Sequence, residues 1–404
     1  MKKISLLSMC LLCCVGLSFG QTLNVYEAAG NYYRVYSTVS QAKAEDTAKK
    51  MDAFFNLFNS YFHFDPASLE SKLNVRIFAD QTQFNNYLST IISEKKENFV
   101  YLQYSDAKKS ELLGFLQDEE TFNTSLLRHG YIQFLKSFIT NPPLWLQRGF
   151  AVYFEKCSYD KEYNQAVYKE NLGWLETLKS LIKKTANRNY IPMSTLLKPD
   201  TDTSENEKEL FYAESWGLVT FLLNSGNKNY NRILWDSISA LKKNASTREN
   251  EMAVIKNAFS WIDENGFTAD AAGYFAALKT FPMLVEEGID LYAKGDLTGA
   301  DERFTQAIIL NGNHYLPYYY LGLIHYARKD YALAEYYYQS SLLLGGDQAL
   351  CNYALGVNAF ADNKLSDAQE YLQKAKEMNP ASYREKAEKL LARIELIKAD
   401  SPGK

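Results

Sequence analysis

Gly288, Gly322 and Gly356 stand 34 residues apart, and that interval governs everything beyond residue 280. Ala300, Ala334 and Ala368 keep it, as do Phe304, Tyr338 and Leu372, and then Ala307, Ser341 and Ala375. Self-similarity at a period of about 20–50 residues marks a stacked array in which no single unit buries its own apolar face. Each unit reads as two helices, A and B. The small residues on both let the helices approach closely. The connections Lys294-Gly295-Asp296, Arg328-Lys329-Asp330 and Asp362-Asn363-Lys364 are polar stops between apolar runs. Three units over 281–380 therefore predict an all-α superhelix. The amphipathic stretch from Lys386 to Lys398, within 381–404, predicts a helix that covers the last unit.

The opposite end reads as a targeting segment. Lys2 and Lys3 precede a mostly apolar run from Ile4 to Leu17, and Ser18-Phe19-Gly20 offers small residues before a cut at Gln21. The run is too short to span a bilayer comfortably, and no later segment reaches about 18 apolar residues. The expectation is a cleaved signal over residues 1–20 and an exported chain, periplasmic or secreted and not transmembrane. Cys10, Cys13 and Cys14 leave lipoprotein anchoring open, although leucine and cysteine precede the last two in place of the usual small residues. Loss of Lys2 and Lys3 takes the net charge from −4 to −6, and a mildly acidic chain without a basic stripe argues against a nucleic-acid partner. Cys157 and Cys351 then remain, too far apart in sequence for a disulfide framework, and read as buried thiols. The 30 tyrosines among 404 residues suit helix grooves and recognition surfaces, because each buries a ring and keeps a polar tip.

Residues 21–280 read as α+β. Strands are expected at Tyr32–Ser37, Leu73–Phe78 and Phe99–Leu102, with a helix over Gln41–Phe62. Glu119 to Cys157 holds two helices broken at Pro142-Pro143. Further helices are expected at 172–184, 211–224, 229–242 and 251–259, with 200–207 as a polar loop. The whole is a small mixed sheet followed by a helical bundle.

One stretch carries the residue types of chemistry. Ser125 to Glu155 reads SLLRHGYIQFLKSFITNPPLWLQRGFAVYFE, and Phe211-Tyr212-Ala213-Glu214-Ser215-Trp216 follows downstream. Over about residues 25–280 this resembles the gluzincin-type (peptidase MA-like) zinc metallopeptidases, which carry H-E-x-x-H on one helix and W-L-x-E-G-x-A-x-Y-x-E on the next. Pro143, Trp145, Leu146, Gly149, Ala151, Tyr153 and Glu155 match the second motif. The residues over 281–380 resemble tetratricopeptide repeats, with Pro380 where that pattern commonly has its proline.

The peptidase resemblance implies a zinc site at positions that this sequence has replaced. His129 holds the first ligand position, Gly130 the general-base position, Gln133 the second histidine and Arg148 the third ligand. Glycine has no group to take a proton from water, an amide oxygen is a poor zinc ligand beside imidazole, and a permanent guanidinium charge repels a dication. No catalytic residue, metal or cofactor is therefore expected. His63 is the only other histidine ahead of the repeats, and a carboxylate set from Glu119, Glu120, Glu155 and Glu214 has nothing in the spacing to support it. Two readings of the replaced site stay open. In one, His129, Gln133 and Arg148, with Tyr153 nearby, hold a carboxylate. In the other, Arg148 pairs with Glu214 or Glu155 and closes the site. In the repeats, the resemblance implies a concave groove for a protein or peptide, and Tyr318, His325 and Asn352 are candidates to face it. The reading that joins these features is a non-catalytic exported binding protein. A structural part in an envelope assembly and a hydrolase with a rearranged site are the alternatives.

Overall fold

The computed structural model describes residues 24–183, 191–200 and 208–400. The expected signal over 1–20 and most of the 200–207 loop lie outside the described residues. The described chain divides into two compact units, 24–171 with 191–262, and 172–183 with 263–400. The second unit thus takes in residues 263–280 ahead of the first repeat. Within that unit α5 (Leu175–Lys183) packs on α10 (Glu264–Ala277), with Lys179 Nζ donating to the Leu278 carbonyl at 2.5 Å.

The first unit is built on a five-stranded mixed sheet of order β1 (Tyr26–Ala29), β2 (Tyr33–Ser37), β3 (Leu73–Phe78), β5 (Glu111–Phe115) and β4 (Val100–Leu102). The inner strands β2, β3 and β5 run parallel, and the edge strands β1 and β4 run antiparallel to their neighbours. One face carries α1 (Gln41–Phe62) and α3 (Glu119–Phe138). Strand residues of the other parity, Phe78, Leu113 and Phe115, are covered by Phe84 and Leu88 of α2 (Gln81–Leu88). Two acceptors explain the start of each long helix: Ser40 Oγ accepts from Lys43 N, and an Asp118 carboxylate oxygen accepts from Thr121 N.

The core of this unit is aromatic. Phe55 and Phe58 of α1 meet Phe134 of α3 at ring distances of 5.1 and 5.6 Å, and Phe58 meets Phe154 at 5.0 Å. Pro142-Pro143 ends the preceding segment as expected, and α4 (Leu144–Tyr153) begins directly after it. Helix α4 crosses α7 (Lys208–Asn224) so closely that a Cβ at Gly149 would lie 2.4 Å from the Ser215 carbonyl oxygen. Around these lie α6 (Met193–Leu197), α8 (Lys228–Ser239), α9 (Thr247–Val254) and a small hairpin, β6 (Ser158–Asp160) with β7 (Gln165–Val167).

The second unit is a helical repeat array. Its pairs are α11 (Phe281–Ala293) with α12 (Leu297–Leu310), α13 (Tyr315–Ala327) with α14 (Tyr331–Leu343), and α15 (Gln348–Ala361) with α16 (Leu365–Met378). The 34-residue register has a direct cause. A Cβ at Gly288, Gly322 or Gly356 would lie 2.7, 2.5 and 2.7 Å from Phe304, Tyr338 and Leu372 of the partner helix. The turns repeat too: Gly295, Lys329 and Asn363, again 34 apart, all have positive φ of 82°, 63° and 59°. Helix α17 (Pro380–Asp400) follows, with Pro380 as its first residue. Ala387 and Ile394 pack on Ala359, Ala368 and Leu372, so α17 covers the third pair as the amphipathic pattern anticipates.

Candidate functional site

Helix α3 places His129, Gln133 and Lys136 along one side at helical spacing, and α4 supplies Arg148. His129 and Arg148 do come together. The guanidinium charges of Arg128 and Arg148 both act on the imidazole, and with burial as the larger cause they lower its pKa to about 3. His129 is therefore a neutral ring at neutral pH, 6.3 Å from Phe99 beside the edge strand β4. The charge of Arg148 also reaches Lys136, whose pKa is lowered first by burial and then by that charge.

Gln133 departs from the expected arrangement. Its amide nitrogen donates 2.8 Å to the Asn74 carbonyl on β3, so the side chain is tied to the sheet, and its Oε1 is buried without a partner. Gly130 faces α1. A Cβ there would lie 2.8 Å from Met51 Cε, so the general-base position points into helix packing. Tyr153 is also corrected. It is buried in the aromatic core, stacked 4.9 Å from Tyr168 and edge-on to Tyr61 at 5.9 Å. Five residues beyond Arg148 on a helix, its ring falls on a different face.

The closing of Arg148 by an internal acid does not occur among the described residues. Glu214 accepts the Ile191 amide at 2.9 and 3.2 Å, and neither Arg128 nor Arg148 has a carboxylate partner or a hydrogen bond there. Instead both guanidinium groups lie against one ring. Arg128 Cζ is 4.8 Å and Arg148 Cζ 5.2 Å from the centroid of Tyr212, a residue of α7 that is itself buried. The sequence reading missed Arg128 and Tyr212. The signal was present in the adjacent Arg128-His129 pair and in the downstream Phe211-Tyr212-Ala213 motif.

Among the described residues, no three His, Cys, Asp or Glu side chains converge as a metal set. Glu120 pairs with Lys156 at 3.2 Å. His63 is placed at the C-terminal end of α1, 5.9 Å from Trp235. Burial pushes the Cys157 thiol up to about 11, so it is not a ready nucleophile.

In the repeats, Tyr318, His325 and Asn352 pack between helices. Tyr318 donates to the Gly312 carbonyl at 3.1 Å, and His325 stacks 5.3 Å from Tyr337 of α14. Asn352 is 4% exposed, with its amide bonded to the Gln348 carbonyl and its nitrogen 3.8 Å from Met378 Sδ. Tyr319, Tyr326 and Tyr353, each one residue later, are half-buried. Tyr319 and Tyr326 pack against the cluster of Ala334, Tyr338, Ala354 and Leu355, and Tyr353 stacks 5.0 Å from Tyr383 of α17. On α11, Tyr292 meets Tyr320 of α13 edge-on at 5.5 Å. Burial raises the Tyr319 hydroxyl to about 12, with Tyr383 and Tyr292 both close enough to contribute. Tyr292, Tyr319, Tyr326, Tyr353 and Tyr383 thus form a half-buried row across four A-type helices.

No protein-family model matches the sequence, and no curated protein matches it. Among solved structures, the chain is similar to the first TPR domain of human RPAP3, at 19% identity and TM-score 0.28, over 30% of this chain and 94% of that one. It is similar to the Yersinia enterocolitica type III secretion chaperone SycD in complex with a peptide of the translocator YopD, at 20% identity and TM-score 0.27, over 28% and 92%. The third is MamA 41-end from Desulfovibrio magneticus RS-1, at 17% identity and TM-score 0.26, over 44% and 99%. The helical repeats stand on their own 34-residue register and paired helices.

Proposed function

We propose that this chain is an exported, non-catalytic binding protein, whose repeat array holds a protein or peptide segment. Its first unit, on this reading, keeps a zinc-peptidase-like scaffold and has lost the chemistry. The carrying observation is the row of half-buried tyrosines from Tyr292 to Tyr383, which offers ring faces and hydroxyls along successive A helices. Such rings give contact area at low entropic cost, and their hydroxyls meet the polar groups of a peptide backbone.

The peptidase-like reading is supported by what the surviving motif residues do. Trp145, Leu146 and Ala151 are fully buried, and Gly149 permits the α4–α7 crossing. The matching positions are therefore those that build the scaffold. The positions that fail to match, Gly130, Gln133 and Arg148, are those that the chemistry would need. The same reading treats residues 1–20 as the export signal.

The test is site-directed photo-cross-linking with a benzophenone amino acid placed at Tyr319, Tyr326 or Ile309. Ile309 is 78% exposed on α12 and serves as the control. A discrete cross-linked polypeptide from the two tyrosine positions and none from Ile309 is expected. Equal labelling from all three sites would remove the A-helix face as the binding surface.

A further inference from the structure

We infer that Arg128 and Arg148, with His129, form a receptor for an oxyanion carried by a ligand. This goes beyond the repeat array and uses a different set of residues. Two guanidinium groups offer five N–H donors each in a planar fork. Here both lie against the Tyr212 ring, at 4.8 and 5.2 Å, and neither donates a hydrogen bond to, or pairs with, a carboxylate among the described residues. The His129 imidazole beside them is likewise without a hydrogen bond there. Two like charges held on one buried ring repel each other, and an anion between them offsets that repulsion. Carboxylate and phosphate oxygens match that donor geometry in bidentate fashion. A third cation, Lys136, adds to the same positive field and is held in place by Gln103 Oε1 at 3.0 Å.

The ring fixes the pair. Tyr212 is 5% exposed, on a helix that Gly149 locks against α4, so the arginine forks have a rigid platform. Packing that holds donors in place ahead of binding lowers the ordering cost.

The experiment is chemical footprinting of the purified chain with phenylglyoxal, which modifies free guanidinium groups, read by peptide mass mapping. The probes are inorganic phosphate and a short peptide with a free C-terminus, each against chloride at matched ionic strength and against the amidated peptide. At about four times its Kd, a probe is expected to slow modification of Arg128 and Arg148 about fivefold. The exposed Arg232 should be unaffected. The arm that saturates at the lower concentration identifies the source as phosphate or carboxylate. Protection equal to that by chloride, or absent from both arms, would overturn the inference. As a second readout, phosphate should raise the unfolding midpoint of the parent and not that of Arg148→Gln. If that variant does not fold, footprinting of the parent still decides. Cross-linking at the repeats is unaffected by either result, so the two readings fail separately.

Discussion

Burial and two neighbouring guanidinium groups hold the His129 imidazole at about 3, against about 6.5 for a free side chain. The folded pKa is the lower one, so between about 6.5 and 3 the unfolded chain binds a proton that the folded chain does not. Stability from this residue is complete above about pH 6.5 and is lost as the pH falls toward 3. Urea unfolding midpoints of the parent should therefore drop more steeply from pH 7 to pH 4 than those of His129→Gln. Parallel profiles would place the imidazole in water. Half of this site was legible in the sequence. His129 and Arg148 were found because a motif put them there, whereas Tyr212 and Arg128 matter through packing that spacing does not encode. The three repeat residues named from the sequence, Tyr318, His325 and Asn352, each stand one position before a tyrosine of the proposed binding face, Tyr319, Tyr326 and Tyr353. One residue on an α-helix is a rotation of about 100°, enough to exchange the groove face for the packing face.

The helix crossings were the legible part, and they fail in predictable ways when their small residues change. Gly149→Ala puts a methyl group 2.4 Å from a backbone oxygen and should destabilise the first unit by about 1–3 kcal/mol in equilibrium unfolding. A change within a few tenths of that of the parent would show that α4 and α7 slide apart freely. In the repeats, Lys329 sits at φ 63° where the first helix pair has Gly295. Lys329→Gly relieves a left-handed non-glycine residue and, net of the added chain entropy, should stabilise by about 0.5–1 kcal/mol. A loss of stability there would mean that the turn is shaped by contacts of the lysine side chain. Asp330 Oδ1 accepts from Leu333 N at 3.3 Å at the start of α14, so Asp330→Ala should cost about 1 kcal/mol on thermal or urea unfolding. The strands were less legible. Strand β5 reads Glu111-Leu112-Leu113-Gly114-Phe115 and is buried at every residue, so it lacks the alternation that marks a half-exposed strand. Its Glu111 is held by Arg76 at 3.2 Å and by the Tyr87 hydroxyl at 2.6 Å, partners that only the fold supplies. The first strand, β1, is a short edge of four residues with two alanines, which carries little β-propensity.

At the scale of the whole molecule, two units have different relations to their sequence. The repeat array is specified by local register, each helix pair by its own glycine and its own large residue, and could be read almost unit by unit. The first unit depends on long-range strand pairing and on an aromatic core assembled from α1, α3 and α4, so its elements were legible and its sheet order was not. In that unit the buried scaffold residues match the peptidase-like motif. The positions where the peptidase motif would need its chemistry hold a glycine packed on Met51, a glutamine bonded to Asn74 and an arginine on Tyr212. The most direct measurement is the zinc content of the purified chain by elemental analysis after dialysis against trace zinc. Far less than one equivalent per chain is the result that the proposed non-catalytic reading predicts. One tightly held equivalent, removed by His129→Gln, would contradict that account and return the first unit to the enzymes.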